Sequence, residues 1–209
     1  MTGVPDLVLR AVGPRAWLVE VAGAAEALEL AQWVREHGPA DGIEPVEVVP
    51  AARTLLLDGL VVERDRLAAW LARWAPTHRF PRGPRVEVDV RFDGPDLDRV
   101  AVHWQVSTRE VVARVTATEF TAAFTGFAPG FSYLAGLRAD WAVPRLSSPR
   151  ARVAPGSVGL ADTWAGIYPT ASPGGWLLLG HTEAVLWDAT RPSPALLPPG
   201  TRVRFREAP

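Results

Sequence analysis

Three arginines, Arg145, Arg150 and Arg152, stand in the segment PRLSSPRARVAPGS, where prolines hold the chain extended. In an extended segment Arg150 and Arg152 project to the same face. Two guanidinium groups so placed can converge on a carboxylate, a phosphate or an acidic patch of a partner. The alternative is a solvated basic edge, and the surrounding glycines and prolines favour an anion or partner site. Glu119 stands just before an apolar run that leads into Gly126. A carboxylate there can bind an amide or accept a proton; a solvated strand residue is the equal alternative. Six aromatics, Phe127, Phe131, Tyr133, Trp164, Tyr168 and Trp176, share the stretch that follows. Several of them are expected in a core and two or three along a groove.

Other chemistries find less support. His37, His78, His103 and His181 are scattered, without the spacing of a metal site. Ser132, Ser157 and Ser172 lack a GxSxG elbow or another recognisable activating context. Asp93 and Asp96 flank Gly94-Pro95 and read as a turn entering a helix, with Asp96 as its N-cap.

These residues sit in a run, Gly126 to Gly180, that holds nine of the 18 glycines and four arginines but no glutamate. Glycine permits positive φ and close backbone approach, whereas proline fixes φ and removes a donor. Alternating the two costs regular structure, so such a run builds a shaped surface more readily than a generic core. All 22 basic residues are arginine and the chain has no lysine. That excludes a Walker A lysine, a Schiff-base lysine and a biotinylated lysine from this chain. A net charge of −1 argues against nucleic-acid and anionic-membrane binding. No apolar run reaches the roughly 18–20 residues of a membrane span. The absence of cysteine and of a secretory signal pattern fits a cytoplasmic protein.

The elements that must position these residues fall into two parts. Leu7–Val12 and Trp17–Val21 read as strands, Ala24–His37 as a helix stopped by Gly38, and Val46–Val49 and Thr54–Leu57 as strands. Asp65–Trp74 reads as a second helix. This order predicts an α+β fold: a small ferredoxin-like sandwich over residues 1–82. Phe80-Pro81-Arg82-Gly83-Pro84 reads as a linker. Beyond it, over 83–209, come a strand at Val86–Phe92 and a helix at Asp96–Trp104. A capping box at Ser107 and Glu110 then opens a second helix. Short strands are expected at Thr118–Thr125, Gly156–Leu160, Ala165–Tyr168, Trp176–Leu179, Ala184–Trp187 and Arg202–Phe205. Short strands with Gly/Pro turns predict a closed or nearly closed β-barrel with two helices.

The motifs GFAPGFSYLAGL, SPRARVAPGSVGLA, GIYPTASPGGW and the terminal PGTRVRF closely resemble the family of 5-oxoprolinase B subunits. That family includes the histidine-kinase inhibitor KipI and the domain called allophanate hydrolase subunit 1. ALELAQWV, VVPAARTLLL and FDGPDLDRVA extend the likeness over nearly the whole chain. The resemblance implies a cyclophilin-like barrel after the N-terminal domain. It also implies a stable KipA-like C subunit and an A subunit, which together open 5-oxoproline to glutamate at the expense of ATP. In urea carboxylases a similar domain is part of a biotin-dependent carboxyltransferase. On this footing the chain itself holds no cofactor, and ATP with Mg belongs to the complex. Its share of a pocket for a small lactam or urea-type substrate would be Gly126, Phe127, Pro129, Gly130, Tyr133, Arg150, Arg152, Ser157, Tyr168 and Ser172. Glu119 and His181 would be the proton-transfer candidates. Two departures bear on catalysis. Val115 replaces the family's histidine, and Phe120 lacks the hydroxyl of the family's tyrosine. His181 stands where arginine is common, which would make local charge pH-dependent. A KipI-like role, binding and inhibiting a sensor kinase, is the alternative; prolyl isomerase activity would rest on the fold alone.

Overall fold

The computed structural model describes residues 7–80 and 83–208. The chain divides into two compact units, Met1–Pro81 and Arg82–Pro209.

The first unit contains β1 (Val8–Gly13), β2 (Ala16–Glu20), α1 (Ala24–Asp41), β3 (Glu47–Pro50), β4 (Thr54–Asp58) and α2 (Arg64–Leu71). Its sheet runs β1-β2-β4-β3, antiparallel throughout. From β2 onward this is the ferredoxin-like path. The fourth strand, however, is supplied before the first helix, by the β1–β2 hairpin, and not after the second. Alternation along β2 and β4 turns Val19, Leu55 and Leu57 onto Leu30, Ala31, Val34, Leu67 and Leu71 of the helices, forming a dry core.

Helix α1 does not stop at Gly38. It continues through Pro39 to Asp41, and Gly42, at φ 67°, is the left-handed residue that ends it. A Cβ on Gly38 would lie 2.2 Å from the Ile43 carbonyl oxygen, and Ile43 donates its N–H to Gly38 O at 2.9 Å. Gly38 therefore serves the returning chain's close approach. Asp41, the last helical residue, accepts from the Trp70 indole at 2.8 Å and from Arg73 at 2.9 Å. The Trp70 N–H first, and Arg73 beside it, hold this carboxyl below its ordinary value of 3.8. A carboxyl depressed in the fold stabilises it above about pH 4, and that contribution drains as pH falls through the lowered folded value. Asp41→Asn is therefore expected to flatten the acid limb of stability. Urea midpoints at about pH 6 and pH 2.5 should differ less in the variant than in the parent chain.

The second unit holds β5 (Arg85–Val90), α3 (Leu97–Trp104), α4 (Thr108–Ala117), β6 (Phe120–Thr125) and β7 (Ser132–Ala135). A 3₁₀ turn at Ala139–Trp141 follows, then β8 (Arg150–Val153), β9 (Ser157–Ala161), β10 (Trp164–Ile167), β11 (Ser172–Gly174), β12 (Leu177–His181) and β13 (Arg202–Glu207). Seven strands pair in the order β12-β9-β10-β7-β6-β13-β5, while β8 and β11 form a separate ribbon. The chain beyond β5 then meets β12. Arg91 and His181 exchange both backbone hydrogen bonds at 2.9 Å, and Gly94 donates to Leu179 O at 2.9 Å. The sheet thus closes on itself as a cyclophilin-like barrel, which removes the edges an open sheet would expose. Phe120, Leu134, Leu160, Leu179, Val203 and Phe205 fill it, and α3 and α4 add Val100, Val111 and Val115.

Two local expectations change. Ala184–Trp187 makes only an isolated bridge, Trp187 to Ala195, because the proline-rich return folds back on it and Leu196 donates to Leu186 O at 2.9 Å. Ser107 does cap α4, its hydroxyl accepting from Glu110 N at 3.2 Å, but the Glu110 carboxylate turns to Arg114 at 3.0 Å. No helix among the described residues is long and apolar enough to cross a membrane.

Candidate functional site

The segment GFAPGF between β6 and β7 folds as two consecutive turns. Ala128 donates to Gly126 O at 2.8 Å across Phe127, which is held at φ 68° in a γ-turn of the strained, positive-φ kind. Phe131 then donates to Ala128 O at 2.9 Å across Pro129 and Gly130, with Gly130 at φ 85°. Proline followed by a positive-φ glycine is what a type II turn requires. The pair of turns lifts Phe127 outward, 60% exposed, and sends Phe131 into the fold.

Behind this tip lies a cavity of about 220 Å³ lined by Phe127, Phe131, Tyr133, Trp164, Tyr168 and Trp176, with Ala161, Pro173 and Gly174. Its aromatics lock edge to face. Phe131 meets Tyr168 at 5.6 Å and Trp176 at 5.4 Å, and Tyr133 meets Trp164 at 6.1 Å. Each such pair adds about 0.5–1.5 kcal/mol beyond burial, so the wall is preorganised. Glycines make room for it. A Cβ on Gly166 would lie 2.9 Å from Phe131 and Trp176 ring atoms, and one on Gly174 would lie 2.3 Å from the Tyr168 hydroxyl oxygen. Burial pushes the Tyr168 phenol above its ordinary value of 10.0, against the nearby Trp176 backbone and the charges of Arg145 and Arg150. It therefore keeps its proton at neutral pH and can donate a hydrogen bond.

Two charged residues complete the lining, Arg145 and Asp162. Asp162 opens the two-residue loop between β9 and β10 at φ 53°, a left-handed position that aspartate tolerates better than most residues. Its backbone is fixed from both sides, donating to Val143 O at 2.7 Å and accepting from Val143 N at 3.0 Å. Pro144 follows Val143, and Leu146 donates to Gly175 O at 2.8 Å. Arg145 is thus carried on a strap pinned on both sides, its guanidinium lying over Gly175. Among the described residues neither side chain has an ion-pair or hydrogen-bonding partner, and both are exposed to solvent at the cavity rim.

Of the residues expected from the sequence, Phe127, Tyr133 and Tyr168 line this cavity. Gly126, Pro129 and Gly130 shape its tip, and Ser172 immediately precedes Pro173, its hydroxyl buried without a partner. The others lie elsewhere. Arg150 and Arg152 do not converge, because the β8–β11 pairing carries a register shift that breaks the two-residue period. Arg150 is committed to the buried Asp96 carboxylate at 2.8 Å, while Arg152 is exposed. Asp96 occupies the N-cap position of α3 but caps nothing with its side chain; it accepts instead from Leu178 N at 2.8 Å. Glu119 lies at the opposite end of β6 from the Gly126 turn, roughly 20 Å along the strand. It faces Arg85 at 3.9 Å and Arg202 at 3.8 Å. His181 sits on the barrel seam, bonded to Asp93 at 3.0 Å, and lines a different, polar hollow. Ser157 is buried within β9. Val115 and Phe120, the positions of departure, are fully buried in the barrel core. Asp162 carried no motif in the sequence, and Arg145 was visible only as one of a group of arginines. Among the described residues no group of three or more acidic or histidine side chains could hold a metal ion.

Comparison with known proteins places this geometry in a family. Residues 7–197 match the carboxyltransferase domain, subdomain C and D. The 5-oxoprolinase B subunit of Escherichia coli O157:H7 is 40% identical over 156 residues, covering 73% of this chain and 68% of that protein. The 5-oxoprolinase B subunit of Bacillus subtilis (strain 168) is 42% identical over 123 residues, 57% of this chain and 51% of that one. The crystal structure of TTHA0988 superposes with a TM-score of 0.77 at 34% identity, over 93% of this chain but only 40% of the TTHA0988 chain. The urea amidolyase of K. lactis shares the fold at 18% identity and a TM-score of 0.72, over 98% of this chain and 15% of that one. With a match running nearly end to end, the chain belongs to the carboxyltransferase-domain family, subdomain C and D, and its curated relatives are B subunits of 5-oxoprolinase.

Proposed function

We propose that this chain is the B-type subunit of an ATP-dependent amidohydrolase that opens 5-oxo-L-proline to L-glutamate, acting with a KipA-like C subunit and an A subunit. The observation that carries this reading is the preorganised aromatic cavity built by the GFAPGF turns, in a chain 40% identical to a 5-oxoprolinase B subunit. At about 220 Å³ the cavity is smaller than the ~300–1,000 Å³ of drug-sized sites, so it suits a small ring. Opening the lactam breaks its C–N bond and adds water, with ATP hydrolysis driving the reaction. The chain's part is to hold the ring against flat walls and to exclude bulk water. The Tyr168 phenol supplies a hydrogen-bond donor. With no lysine in the chain, the cationic handling of ATP phosphates falls to arginine or to another subunit.

Co-expression with the A and C subunits of the same source should yield a complex whose ATP hydrolysis depends on 5-oxo-L-proline and releases glutamate in step. Phosphate release unaffected by 5-oxo-L-proline and by a panel of lactams and ureas would overturn the reading.

A further inference from the structure

The cavity has two poles. Its walls are rings and small apolar groups, so any charge on a ligand must be met at the rim, where Arg145 and Asp162 stand. Both are uncommitted, unlike Arg150, which is held by Asp96, and Glu119, which faces two arginines. Both are also fixed by backbone: Asp162 through its paired bonds to Val143, Arg145 through Val143 on one side and Leu146 on the other. Because Val143 pairs with Asp162 itself, the two poles are set by one short strap. Holding an aspartate in the left-handed region and a phenylalanine at φ 68° at the same cavity costs backbone strain that packing must offset.

We infer that Arg145 and Asp162 set the specificity of this cavity: it takes a small planar ring carrying a carboxylate and a ring N–H. Arg145 meets the carboxylate with its paired N–H donors, and Asp162 accepts the ring N–H. The aromatic walls receive the ring faces. A guanidinium matches a carboxylate in shape as well as charge, and a charged acceptor distinguishes an N–H from an N-alkyl group. This inference rests on the lactam reading of the same cavity, for which it names the residues that select substrate.

The test uses the assembled complex for turnover and the emission of Trp164 and Trp176 for binding, with Arg145→Met and Asp162→Asn as variants. Asparagine keeps the left-handed turn at 162 while removing the charge. The probes are 5-oxo-L-proline, 2-pyrrolidinone, N-methyl-5-oxoproline and pyrrole-2-carboxylate. Arg145→Met should raise KM for 5-oxo-L-proline about 10- to 100-fold. It should also remove the preference for 5-oxo-L-proline over 2-pyrrolidinone, which lacks the carboxylate. Asp162→Asn should weaken N–H rings and leave the N-methyl ring unchanged. If both variants open 5-oxo-L-proline with parental KM and selectivity, this inference fails and the lactam reading stands. If the complex opens no lactam but pyrrole-2-carboxylate quenches emission in an Arg145-dependent way, the lactam reading fails while the recognition of a ring carboxylate by Arg145 stands. Pyrrole-2-carboxylate binding that is absent, or indifferent to both substitutions, overturns it.

Discussion

Arg150→Ala is expected to lower the unfolding midpoint of the barrel by about 10 °C, the equivalent of about 3 kcal/mol. The reason is the company Asp96 keeps. Its side chain is 2% exposed and accepts from Arg150 Nη2 at 2.8 and 2.9 Å and from Leu178 N at 2.8 Å. Without Arg150, a buried carboxylate retains one backbone donor and an ion pair at 3.7 Å with the largely exposed Arg99. Breaking a buried pair by removing one partner typically costs ~3–5 kcal/mol, mostly the penalty of the stranded charge. Arg150 is itself 28% exposed, which places the effect at the lower end. Asp96→Asn keeps the Leu178 bond without stranding a carboxylate and should cost less. In the double variant the two losses should not add. Scanning calorimetry of the four proteins gives the coupling directly, and a single-variant shift below about 3 °C would show that the pair is not structural.

Gly180→Ala is expected to be similarly damaging for a different reason. Its added Cβ would lie 2.0 Å from the Arg91 carbonyl oxygen and 2.9 Å from Phe92 Cα, all backbone atoms that cannot rotate away. This is the closing seam of the barrel, where Arg91 and His181 exchange hydrogen bonds and where a Cβ on Gly94 would lie 2.3 Å from the Leu179 carbonyl carbon. Overpacking against side chains costs ~1–3 kcal/mol, and here no side chain can yield, so about 3 kcal/mol is expected. Hydrogen exchange supplies the check. The amides of Arg91, Gly94 and His181 should lose protection before those of β6 and β7, because the seam opens locally first. Uniform protection in the variant would mean that the barrel does not depend on this approach.

Both contacts, Arg150 to Asp96 and Gly180 to Arg91, join residues far apart in sequence, which local patterns do not disclose. The alternation in β2, β4 and β6 and the capping signal at Ser107 are local, and they place strands and helices to within a few residues. Gly38 misled because glycine signals both helix stops and close approaches. Only the position of Ile43 shows that Gly42 ends the helix. The Gly126–Gly180 run was legible as a shaped surface, and its aromatics were legible as a group. Which charges face the cavity was not. Arg150 is neutralised by Asp96, far away in sequence, and a register shift in β8 separates it from Arg152, so i,i+2 spacing predicted a convergence that does not form. Asp162 reaches the cavity because Val143 anchors a two-residue loop, a long-range pairing that no local pattern announces.

Labelling the chain with 5-fluorotryptophan and recording fluorine spectra of the assembled complex shows whether the lactam occupies the aromatic cavity. The chain's nine tryptophans supply the signals, to be assigned by single Trp→Phe substitutions. Trp164 and Trp176 line the cavity, whereas Trp33, Trp70 and Trp74 belong to the N-terminal unit. Addition of 5-oxo-L-proline should move the Trp164 and Trp176 resonances saturably, with a midpoint matching its KM, and leave those of the N-terminal unit unchanged. Turnover of 5-oxo-L-proline with the Trp164 and Trp176 resonances stationary would place the lactam outside this cavity.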